Sequence, residues 1–143
     1  MKKIIILFVL VLIGLQGCGF EAQQDISPQQ LGDDAVVDQT KADEAKKIVL
    51  SMEEVYEVKG VSHNDKIYVA PNVHHFDRLR LEEIRKTGFE KIKKRYPEET
   101  VFFTTDKKIY MELEKLETEL KNKEISTSAL EKKLSKLEDD MKG

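Results

Sequence analysis

The sequence predicts an α+β fold: one small α-β-β-α-β domain behind a tether, followed by a helical, coiled-coil-like extension. Three observations carry this expectation. Apolar residues recur at helical spacing up to about residue 54, between 77 and 96, and again from 106 onward. Between these stretches lie three short runs with strand spacing. Breakers such as Pro71 and Pro97 punctuate the junctions. A chain of 143 residues holds one such domain and not two. With 36% charged and 7% aromatic residues, there is material for one modest core.

The charge count is 24 Lys+Arg against 27 Asp+Glu, which argues against a nucleic-acid partner. A single Cys excludes a disulfide scaffold and a multi-cysteine zinc site.

The N-terminus has the marks of export. Lys2 and Lys3 precede an unbroken apolar run from Ile4 to Ile13. Such a run is shorter than the ~20 residues a bilayer span needs, and it fits the apolar region of a signal peptide. Leu15-Gln16-Gly17-Cys18 then resembles a bacterial lipobox, in which the Cys thiol takes a diacylglycerol and becomes residue one after cleavage. Gln16 is a tolerated rather than an ideal occupant of its position. The expected signal peptide is 1–17, with lipidation at Cys18. The competing reading is an uncleaved signal anchor. Two acyl chains, palmitate among them, hold a protein stably at a membrane, where one is marginal.

Residues 18–40 are expected to form the lipidated Cys and a disordered acidic tether. Residues 19–40 carry five acids (Glu21, Asp25, Asp33, Asp34, Asp38), no Lys or Arg, and no periodicity. As a flexible coil these 22 residues would span roughly 25 Å.

The domain is expected over 41–122. Ala42, Ala45, Ile48, Val49 and Met52 give a first helix from about Lys41 to Glu54. Tyr56 and Val58 begin a strand in which Gly60 marks a bulge. His63-Asn64-Asp65 makes a turn, and Lys66 to Ala70 a second strand ended by Pro71-Asn72. Asp77 is placed to cap a second helix, with Phe76 and Leu81 as a hydrophobic staple. Gly88 sits mid-stripe, where a missing side chain lets the helix approach the sheet, and Arg85 must escape at the edge. Pro97 stops that helix. Thr100 to Thr105 is the third strand, in which one of Phe102 and Phe103 should face the core. Asp106 caps a third helix.

The remainder, 123–143, is a C-terminal helix. Leu113, Leu120, Thr127, Leu134 and Met141 share one heptad position; Ile109, Leu116, Lys123, Leu130 and Leu137 share the other. Because Lys123 and Thr127 interrupt the seam, two helices broken near 122–128 are preferred to one coiled-coil arm. Ser128 with Glu131 forms a capping box. The seam of Leu130, Leu134, Leu137 and Met141 is too apolar to remain in water. It must fold back on Leu113, Leu116 and Leu120, pair with a second copy, or receive a protein partner.

The pattern over 41–110 resembles the sporulation lipoproteins of the YhcN/YlaJ type from endospore-forming bacteria. The matching pieces are the lipobox, the Ala45…Val49 helix, Lys66-Ile67-Tyr68-Val69-Ala70, Leu81…Ile84, Lys91-Ile92-Lys93-Lys94, Pro97, and Val101-Phe102-Phe103-Thr104-Thr105-Asp106. The resemblance implies a lipid-anchored protein of the spore, linked to germination or outgrowth, with no catalytic residues to carry over. It also implies a BON-like fold, a three-stranded sheet with helices on one face.

Chemistry is sparse. There is no G-x-S-x-G, P-loop or H-E-x-x-H, so no catalytic residue, metal or cofactor is expected. His63 and the pair His74-His75 fall at opposite ends of the expected hairpin, short of a tetrahedral set. Lys91, Lys93, Lys94 and Arg95 form a basic cluster open to three readings: helix-dipole compensation, contact with anionic lipid, or contact with an acidic partner. The functional expectation is a membrane-anchored, non-enzymatic interaction domain on the extracytoplasmic face of the spore inner membrane. The alternatives are an accessory of a cortex peptidoglycan-acting enzyme and a surface lipoprotein unrelated to sporulation.

Overall fold

The computed structural model describes residues 27–143. The signal-peptide and Cys18 expectations, and residues 19–26 of the tether, lie outside the described residues. The elements are α1 (Thr40–Leu50), β1 (Val55–His63), β2 (Lys66–Val73), a 3-10 helix (His75–Arg80), α2 (Leu81–Arg95), β3 (Thr100–Phe103), α3 (Lys107–Lys121) and α4 (Thr127–Lys142). The sheet order is β1-β2-β3, with β1 and β2 antiparallel and β2 and β3 parallel.

Helices cover both faces of this sheet, which corrects the one-face expectation. The reason is written in β2, where Ile67, Tyr68, Val69 and Ala70 are all buried in succession. A strand apolar on both sides needs cover on both sides. Ile67 and Val69 join Ala45 and Val49 of α1, Ile84 and Ile92 of α2, and Val101 in one core. Tyr68 and Ala70 join Val61, Ile109, Leu113, Leu116 and Leu120 in the other. Phe102 and Phe103 divide accordingly. Phe102 stacks on Tyr68 with ring centroids 4.9 Å apart, while Phe103 packs into the opposite core.

Gly88 does allow a close approach, for a Cβ there would stand 2.3 Å from Phe103 Cζ. The β1 irregularity falls between Val55 and Glu57 and not at Gly60. Strand β2 runs on through Pro71 to Val73. It tolerates Pro71 because β3 pairs only with residues 66–69, so the missing N–H faces no neighbouring strand. Asp106 caps α3, accepting hydrogen bonds from the Lys108 and Ile109 N–H groups at 2.7 and 3.1 Å.

The break between the last two helices is real. Helix α3 ends with Lys123 in the left-handed region at φ 57°, and the Glu124 and Lys123 N–H groups bond back to the Glu119 and Leu120 carbonyls. This is a Schellman stop with a lysine where glycine is favoured. The Ser126 hydroxyl, rather than Ser128, then caps α4 through the Ala129 N–H at 3.2 Å.

Two boundaries move. The tether does not stay free up to residue 40. Leu31 and Gln39 are buried, and Ala35, Val36 and Val37 pack against the Tyr68 core. Helix α4 is no separate extension, since Leu130, Leu134 and Leu137 lie in that same core.

Candidate functional surface

The outer edge of β1 is met by side chains at Gly60 and Ser62. Gln39 mimics a strand residue: its amide donates to the Ser62 carbonyl at 2.7 Å and accepts the Ser62 N–H at 2.9 Å. Glu117 of α3 accepts the Gly60 N–H at 2.8 Å. Lys46 of α1 passes over Gly60 to reach Glu117 at 3.0 Å, and also donates to the Gln29 carbonyl. A Cβ at position 60 would stand 3.2 Å from Lys46 Cγ, so the glycine makes room for this crossing. Residues 29–39 thus form a strap, which Asp43 holds by accepting the Leu31 and Gly32 N–H groups at 3.0 and 2.7 Å. Burial raises the Glu117 carboxyl above its ordinary range, against the opposing pull of Lys46 and the Gly60 N–H. An unpaired sheet edge invites aggregation, and this one is capped at Gly60 and Ser62.

The basic cluster on α2 is split. Lys93 donates to the Pro97 and Glu99 carbonyls, both at 2.7 Å, and fastens the end of its helix. Arg95 pairs with Glu44 of α1 at 2.7 Å, and the Tyr96 hydroxyl donates to the same carboxylate. Those two bonds hold Glu44 below the usual carboxylate range, while burial, with Glu44 beside it, pushes the Tyr96 phenol up to about 12. Lys91 and Lys94 remain exposed. Arg85 escapes as expected, donating to Thr105 Oγ1 at 2.9 Å.

The expected partner seam is filled from within. Leu130, Leu134 and Leu137 are at most 4% exposed, leaving only Met141 half-buried. Three long-range bonds pin the helix above them: Glu138 accepts Lys66 at 2.7 Å and the Tyr68 hydroxyl at 2.5 Å, and Glu131 meets His63 at 3.0 Å. Folding back won because α3 and the sheet offer a complementary apolar face only one short loop away. A partner would have to displace what is already seated.

One feature escaped the sequence reading. Phe76 and Leu79 of the 3-10 helix are 91% and 96% exposed. The staple of Phe76 on Leu81 does not form, and Asp77 pairs with Arg80 at 3.0 Å instead of capping α2. The histidines stand apart: His63 is at the hairpin turn, and His74 and His75 are exposed at the far end. Among the described residues no three His, Cys, Asp or Glu side chains converge on a metal position, and no helix is long and apolar enough to cross a membrane.

The model of one protein family, the sporulation lipoprotein YhcN/YlaJ family, matches residues 21–137. The chain belongs to that family. The match takes in the strap, the whole sheet and most of α4, so this sporulation lipoprotein carries all these parts as one unit. No curated protein and no solved structure matches it. The family description names a lipoprotein of sporulation and no reaction.

Proposed function

We propose that this sporulation lipoprotein is anchored by lipid on Cys18 to the extracytoplasmic face of a membrane, the inner membrane of the spore. There it serves germination or outgrowth as a non-enzymatic interaction domain. The observation that carries the reading is the family match beginning at residue 21, immediately behind the only cysteine of the chain and its lipobox-like context. The strap sharpens it. Among the described residues the first held by the domain is Gln29, through Lys46, eleven positions after Cys18. Even fully extended, that linker spans at most about 40 Å. The domain therefore works close to the bilayer instead of ranging from it.

The test is fractionation of sporulating cells carrying wild type or Cys18→Ala. Wild type should partition into detergent and travel with the inner spore membrane. The variant should be released or remain unprocessed. Equal partition of processed protein in both would refute the anchor.

A further inference from the structure

Phe76 and Leu79 share one face of the 3-10 helix, because side chains three apart eclipse at three residues per turn. No described element covers them, and the nearly complete exposure of two large apolar side chains on one turn is unusual for an isolated domain. Their surroundings are charged. Arg78 lies between them in the chain and Lys86 lines the same surface as Leu79, together with Glu82 and Glu83, while Arg80 is shared among Glu54, Asp77 and Glu83. The segment is also braced from beneath. The His74 N–H bonds to the Glu54 carbonyl at 2.9 Å, Arg80 is held by Asp77, and Tyr56 and His74 rings meet at 5.2 Å. A braced apolar tip with Arg78 and Lys86 beside it matches the apolar-below-charged layering of a bilayer surface.

We infer that the 3-10 helix His75–Arg80 is a membrane-docking tip whose Phe76 and Leu79 enter the interface of an anionic phospholipid bilayer while Arg78 and Lys86 lie over its headgroups. The inference rests on the anchoring reading above, since a linker of at most about 40 Å keeps the tip within reach of the surface. Docking would fix which face of the domain looks away from the membrane: an anchor alone gives proximity, and a second contact gives orientation.

The chain contains no Trp, so Phe76→Trp introduces a unique fluorophore at a position too exposed to disturb packing. The full-length protein, purified from membranes, is reconstituted into vesicles of phosphatidylglycerol and phosphatidylcholine with or without brominated acyl chains. Met111→Trp, on an exposed site of α3, is the control. Flotation of the vesicles reports anchoring, and bromine quenching reports docking. The expected result is blue-shifted, bromine-quenched emission from position 76, with the docked-to-undocked ratio read from quenching falling at least about tenfold when Leu79→Ser is added, and position 111 unquenched. Protein that floats with an unquenched Trp at position 76 overturns the tip and leaves the anchor standing. Protein that does not float refutes the anchor; excess vesicles then test the tip directly, and an unquenched signal overturns it too. A blue shift that needs no vesicles means that a second copy or the chain's own N-terminal segment covers the tip, and likewise overturns the inference.

Discussion

Replacing Leu134 by Ala separates the two roles open to the last helix. Leu134 is 2% exposed and lies among Leu113, Leu116, Leu120, Leu130 and Leu137. Truncation removes three buried carbons and leaves a hole that a helix pinned through Glu131 and Glu138 closes poorly. Such substitutions cost about 2–5 kcal/mol, and full burial places this one near ~3 kcal/mol. A domain of this size holds about 5–15 kcal/mol in total, so the loss is a large fraction. The assay is urea unfolding of residues 27–143, which contain every described element, followed by helical circular dichroism. Lys132→Ala, exposed on the same helix, should change stability by less than about 0.5 kcal/mol. A loss at Leu134 as small as that at Lys132 would refute the reasoning. The seam would then be free for a partner.

Other substitutions test particular joints. Lys123→Gly should stabilise the protein by about 1 kcal/mol in the same melt, because glycine occupies φ 57° without the Cβ penalty. Gly88→Ala should cost about 1–3 kcal/mol by driving a methyl into the Phe103 ring, and much of that should vanish in a Gly88→Ala, Phe103→Leu double variant. Burial alone would raise Glu138, but hydrogen bonds from Lys66 and Tyr68 outweigh it and hold the carboxyl below its ordinary value. A carboxyl depressed in the folded state contributes stability that is present above its unfolded pKa, near 4.5, and lost as pH falls through the folded value. Glu138→Gln should therefore flatten the acid limb of a stability-versus-pH curve and lower stability at neutral pH; an unchanged acid limb would mean that Glu138 makes no net interaction.

Much of the order of elements is legible because local chemistry decides it. Pro97 stops a helix, Asp106 starts one, and the misfit of Lys123 and Thr127 in the heptads marks a true break. The layer arrangement is legible too, in the uninterrupted apolar run Ile67–Ala70, which puts buried residues on both faces of the strand. The strap was not legible. It is held by Asp43, Gln39 and Lys46 reaching backbone groups 11 to 23 residues away, and nothing in a run of Gln, Gly and Asp announces such partners. The docking tip was hidden for a related reason. Phe76 fits a staple on Leu81 by spacing alone, and only the 3-10 turn rotates it outward.

The most direct measurement is the mass of the N-terminal peptide of the protein extracted from sporulating-cell membranes. The account predicts that the chain begins at Cys18 and carries a diacylglyceryl thioether with an acyl-chain mass ladder. A chain still beginning at Met1, or a Cys18 with a free thiol in membrane-bound protein, would contradict it.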